Sequence, residues 1–144
     1  MGGDTMNFNA DDLLPQPIPE LPPQMVVKIQ LEALQKNDDP EPDYGIRVAF
    51  QFASPANRVA TGPIDRFIQL VRNPIYAPML NWIGVEYGPI NVMDAEAQQI
   101  VAIMSAEGET IHYVFTLSRQ KLPPYMGCWM TDNVLRIDLD EDAL

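Results

Sequence analysis

The 144-residue sequence holds one cysteine, Cys128, and one histidine, His112. A lone thiol excludes an intramolecular disulfide and fits a reducing compartment. One Cys and one His do not make a zinc site of the usual kind. No apolar run reaches the roughly 20 residues of a membrane-spanning helix. The N-terminus lacks the basic-then-apolar pattern of a secretory signal, and no glycine-rich phosphate loop occurs. Bases are scarce: 9 Lys and Arg face 20 Asp and Glu, for a net charge of −11 and a pI of about 4.2. Without a basic stripe there are few cations to release counterions from a phosphate backbone, so nucleic acid is not expected as a partner. These absences lead us to expect no cofactor, no metal and no membrane span. They also suggest a cytoplasmic location, or plastid stroma for a processed plant or algal chain.

Apolar residues make up 47% of the sequence, and the length suits one domain with a real core. The negative charge is concentrated at the ends. Residues 1–20 carry four acids and no base, and residues 138–144 again four acids and no base, whereas 21–137 carry 12 acids against 9 bases. We therefore divide the chain into a Pro-rich acidic extended tail (1–23), a single α+β domain (24–137) and an acidic C-terminal tail (138–144). Five prolines lie between Pro15 and Pro23, each fixing φ and removing a backbone donor. Leu13, Leu14, Ile18 and Leu21 give this tail scattered apolar teeth, candidates for docking a partner.

Within the domain, residues 24–37 predict a helix with apolar positions Val26, Ile29, Leu31 and Leu34. Asp38-Asp39-Pro40 stops it. Residues 45–53 satisfy two periods: Ile46, Val48, Phe50 and Phe52 alternate as in a strand, while Ile46, Ala49, Phe50 and Ala53 fit a helix. A loop is read after Ser54-Pro55. Residues 63–72 predict a helix with Pro63 in its first turn and Ile64, Phe67, Ile68 and Val71 inward. Residues 79–87 predict a strand. Residues 97–106 precede a Glu107-Gly108 turn and a β-rich run, which reads as a hairpin with helix as the alternative for its first arm. Residues 125–137 predict the last strand. Helices followed by an antiparallel meander make an α+β domain with the helices on one face of the sheet.

Several pieces occur in a familiar order: Phe50-Gln-Phe-Ala-Ser-Pro55, Asp65-Arg-Phe-Ile68, Val71-Arg-Asn-Pro-Ile-Tyr76, Leu117-Ser-Arg-Gln120 and Gly127-Cys-Trp129. From about Val26 to Ile137 the chain resembles a bacterial and plant family of domains of unknown function, similar in turn to the nuclear transport factor 2/SnoaL-like, cystatin-like cone fold. The resemblance implies three helices packed in the concave face of a strongly curved antiparallel sheet. It also implies that 45–53 is a helix and 97–106 a strand. It brings no catalytic residues.

The chemistry-bearing candidates are few. His112 shares a strand face with Thr110, Val114, Thr116 and Ser118, opposite Ile111, Tyr113, Phe115 and Leu117, so it is expected on the outer face. The acidic loop Asp38, Asp39, Glu41 and Asp43 lacks the glycine and terminal glutamate of a calcium loop. Arg47, Arg58, Arg66 and Arg72 are expected to pair with nearby acids, and Cys128 to act as a small core residue. Were a pocket to lie between helices and sheet, Tyr113, Asp132 and His112 would be its candidate reactive groups, and Tyr76, Trp82 and Trp129 its lining. Two functions follow. The first is a non-enzymatic interaction or assembly domain, with sheet-mediated association or a homodimer and a tail that docks a protein partner. The alternative is a small-molecule-binding protein or SnoaL-like isomerase or hydratase. An open pocket with two or more convergent polar groups favours the alternative.

Overall fold

The computed structural model describes residues 14–139. Four helices come first: α1 (Pro23–Gln35), α2 (Tyr44–Gln51), α3 (Pro55–Thr61) and α4 (Ile64–Val71). A 3-10 turn at Ala77–Met79 leads into β1 (Gly84–Met93), β2 (Glu96–Met104), β3 (Thr110–Arg119) and β4 (Trp129–Ile137). The strands form one antiparallel sheet in the order β1-β2-β3-β4. The architecture is α+β. Among the described residues no helix is long and apolar enough to cross a membrane.

Proline at the start of α1 gives up only an N–H that no helical carbonyl would accept. The helix buries Val26, Val27, Gln30, Leu31 and Leu34, a helical stripe with one polar member. Asn37, 1% exposed, then reverses the chain. Its Oδ1 accepts from Ile46 N at 2.9 Å, and its carbonyl accepts from Gly45 N at 2.9 Å. The α1–α2 approach is so close that a Cβ on Gly45 would lie 2.3 Å from the Ala33 carbonyl oxygen. Only glycine fits there. α2 buries Ile46, Val48 and Ala49, while Phe50 turns aside to meet Phe67 of α4, ring centroids 5.0 Å apart.

Alternation along the strands sorts the sheet into two faces. Ala97, Gln99, Val101 and Ile103 of β2 and Ile111, Tyr113, Phe115 and Leu117 of β3 are buried. The helices cover this face, with α1 and α3 both touching β4. The α2–α3 corner is stitched to β4: Ser54 N donates to the Thr131 carbonyl and Thr131 N to the Phe52 carbonyl, each at 2.8 Å. Register shifts interrupt β1 between Tyr87 and Ile90 and β4 opposite Thr116/Leu117. Such bulges bend a strand and increase its twist.

Several expectations are settled or corrected by these elements. The doubly periodic segment 45–53 is helix through Gln51, and 97–106 is strand from Glu96 to Met104. Four helices replace the three implied, because residues 55–61, read as loop, form α3. Ser54-Pro55 starts that helix. Ser54 Oγ accepts from Asn57 N at 3.2 Å and Pro55 occupies the first turn. The strand expected at 79–87 begins only at Gly84 and runs on to Met93. The 3-10 turn and the positive φ of Asn81 delay its start, and the Gly88-Pro89 bulge masked its continuation. β4 begins at Trp129 rather than at 125, after a turn in which Gly127 has φ +83°.

Candidate functional site

The helices do not fill the inner face completely. Near β4 they leave a cleft of about 170 Å³. Leu34 of α1, Ala49 of α2 and Phe67, Leu70 and Val71 of α4 form one wall, and Phe115 of β3 with Val134 of β4 forms the floor. Tyr76 and Met79 close one end, and the exposed Asn133 and Leu135 of the edge strand, paired with outer-face residues, border it. Most of the lining is hydrocarbon, and among the described residues its only titratable side chain is Tyr76. That phenol is engaged: its hydroxyl donates to the Val134 carbonyl at 2.9 Å.

The remaining wall is polar and converges from three elements. Gln30 of α1 is 4% exposed and Thr131 of β4 is 2% exposed. Gln30 Nε2 donates to Thr131 Oγ1 at 2.7 Å and to the Val26 carbonyl at 3.2 Å. The second bond fixes the amide orientation, because a carbonyl acceptor demands nitrogen opposite it. Asn57 of α3 donates to the Thr131 carbonyl at 3.0 Å, and its Oδ1 lies 3.3 Å from Thr61 Oγ1. Both protons of the Gln30 amide are therefore used, while its Oε1 has no hydrogen-bond partner among the described residues.

A family model described as "Domain of unknown function (DUF4864)" matches residues 21–135. The chain belongs to that family. No curated protein and no solved structure matches it. The family match spans all four helices and every residue of the cleft, from Gln30 to Leu135.

Of the candidates named from the sequence, Tyr76 lines the cleft and the others lie elsewhere. Tyr113 is fully buried behind it, stacked on Tyr76 at 6.3 Å, with its hydroxyl donating to the Ile75 carbonyl at 2.7 Å. Burial pushes its pKa up to about 12; Arg136 acts in the lowering direction and Tyr76 in the raising one. Asp132 sits at the β4 bulge, accepting from Ser118 Oγ at 3.0 Å. His112 is half-buried on the other face of β3, in a separate groove of about 290 Å³ with Arg136 and Asp138. Trp82 is a core residue whose Nε1 donates to the Leu31 carbonyl at 2.7 Å, and Trp129 is buried outside the cleft. The structure thus does not assemble Tyr113, Asp132 and His112 into one site. Alternation forces neighbours 112 and 113 to opposite faces.

Among the tail candidates, Leu14 is buried in the core and Leu21 packs against it, Ile18 is 48% exposed, and Leu13 lies outside the described residues. Arg72 bonds Asp43 and lies 3.8 Å from Asp38, so these acids tether the α4 end to the acidic loop. Among the described residues Arg58 has no acid partner. It donates to the carbonyls of Phe50, Gln51 and Ala53 and to Tyr125 Oη. Burial, with a smaller contribution from Glu20, pushes the Cys128 thiol up. Gln30, Asn57 and Thr131 were not singled out in the sequence. Gln30 carried a usable signal, a polar residue inside the apolar stripe of α1; Asn57 and Thr131 carried none.

Proposed function

We propose that this chain binds a small, mainly apolar molecule in the cleft between its helices and β3–β4, without chemically transforming it. The observation that carries this reading is an open apolar cleft with two nearly buried, convergent polar side chains, Gln30 and Thr131. Apolar lining with a few placed polar groups is the usual construction of a ligand pocket. The volume is close to that of an apolar cavity of about 150 Å³ that accepts benzene, so the ligand is about the size of one ring. Acid–base catalysis would need a titratable group within reach of the substrate. The one on offer, Tyr76, is committed to Val134. The element order and the two bulges also support a cone-type, nuclear transport factor 2/SnoaL-like arrangement, in which the helices sit in the concave face of the sheet. An amide-resolved NMR titration with toluene tests the binding reading. Saturable shifts at Ala49, Val71 and Thr131 are expected; none at millimolar toluene would refute it.

The outer face of the sheet favours a second reading, association of two copies. Ile100, Val114 and Leu135 are cross-strand neighbours there, and Ile100 and Leu135 are 43% and 53% exposed. Gln98, Thr116 and Asn133 form the adjoining neutral row. Two chains of charge −11 would meet on this face without acids opposed at its centre. Sedimentation at micromolar concentration should show a dimer that Leu135→Glu dissociates. A monomer at every concentration removes this reading.

A further inference from the structure

We infer that the cleft selects a neutral hydroxyl compound, of the small phenol or alcohol class, held by Gln30 and Thr131; this rests on the binding reading above. The argument is an inventory of donors and acceptors. Tyr76 is occupied by Val134, and the Asn57 amide reaches the Thr131 carbonyl while its Oδ1 faces Thr61. The two Gln30 N–H protons go to Val26 and Thr131. On the two nearly buried side chains, what remains is one acceptor, Gln30 Oε1, and one donor, the Thr131 hydroxyl proton, since Thr131 Oγ1 is itself the acceptor of the Gln30 bond; the second Asn57 N–H and the exposed Asn133 amide also belong to the lining.

Gln30 Oε1 is not sealed off. The one buried side-chain oxygen without a partner among the described residues is Gln99 Oε1. Gln30 is otherwise enclosed at 4% exposure, so its open oxygen faces the cleft that it lines. A hydroxyl group answers both vacancies at once, donating to Gln30 Oε1 and accepting from Thr131. An ether only accepts and a hydrocarbon does neither. An anion is rejected for two reasons. Among the described residues the lining holds no Lys, Arg or His to offset its desolvation, and a deprotonated carboxylate has no proton for Gln30 Oε1.

The experiment is an NMR titration of the full chain at pH 7 with phenol, anisole, toluene and benzoate, repeated on Gln30→Met. Phenol should bind roughly five- to tenfold more tightly than anisole, the difference of one neutral hydrogen bond, and benzoate should not saturate. In Gln30→Met the phenol–anisole ratio should fall to about one while toluene still binds. Equal binding of phenol and anisole to the native chain, or saturable benzoate binding, overturns the hydroxyl assignment and leaves the apolar-ligand reading standing. Failure of all four probes overturns both. The phenol–anisole comparison needs no variant, so it stands even if Gln30→Met folds poorly.

Discussion

Gln30 on α1 and Gln99 on β2 are the buried glutamines among the described residues, each 4% exposed. Each spends its amide nitrogen on a backbone carbonyl, Val26 in one case and Gly88 at 2.8 Å in the other. They differ in the fate of the oxygen. Gln99 Oε1 is sealed without a partner, which costs on the order of 1–3 kcal/mol. Gln30 Oε1 also lacks a partner among the described residues, but its side chain lines the cleft. Gln99 serves structure by holding Gly88 at the β1 bulge, where a Cβ would come within 2.7 Å of the Ile100 carbonyl oxygen. In the binding reading proposed above, Gln30 serves recognition. Residue type and burial are the same, and only the packing around the last atom separates a stability cost from a proposed binding group.

If the β1–β2 side is closed and the β4 side open, equal changes should have unequal effects. The largest is expected on the closed side. Trp82→Ala should cost about 3–5 kcal/mol in denaturant unfolding, against about 1–2 kcal/mol for the half-buried Phe67→Ala at the cleft wall. Equal losses would mean that the cleft wall is as tightly packed as the core. Next, Ala97→Leu should cost about 1–3 kcal/mol by overpacking. Ala49→Leu should grow into the cleft, leave stability nearly unchanged and abolish toluene binding. A destabilised Ala49→Leu would argue that the cleft is not free space.

Third, exchange of the two glutamines themselves should separate their roles. Gln99→Met removes the stranded oxygen but also the bond to Gly88, and should change stability by no more than about 1 kcal/mol in either direction. It should leave ligand discrimination untouched, whereas Gln30→Met should erase it; loss of phenol selectivity in Gln99→Met would break the contrast.

The last contrast is at Tyr113, behind the cleft, where the effect at neutral pH is modest. Tyr113→Phe loses one hydrogen bond, about 0.5–1.5 kcal/mol. The raised pKa predicts a further signature. Below pH 10 the phenol is protonated in both states. From pH 10 to about 12 the unfolded chain gives up the proton that the folded chain keeps, so stability falls as pH rises. Unfolding curves of the wild type should show this decline, and Tyr113→Phe should flatten it. Parallel pH profiles would assign the decline to other groups.

How much was legible in the sequence depended on whether the signal was local. The α1 and α4 stripes and the β3 alternation sort apolar from polar side chains by element period, and they placed their residues inward except Ile64, which lies outside the core cluster. The segment 45–53 satisfied both periods, and helix was chosen by the α1 contact at Gly45. α3 was missed because Ser54-Pro55 reads equally as the end of one element and the cap of the next. Tyr76 was the one candidate found in the cleft. Its partners Gln30 and Thr131 stand 101 residues apart, a separation that no local pattern spans.

By itself, the sequence determined the helical stripes of α1 and α4, the two faces of β3, the acidic ends and the scarcity of cysteine, histidine and basic residues. These are properties of neighbours and totals. The tertiary structure alone decided that α1, α3 and β4 bring Gln30, Asn57 and Thr131 together, and that space is left beside them. A void is a mismatch of volumes among side chains from distant segments, so it has no residue of its own to mark it.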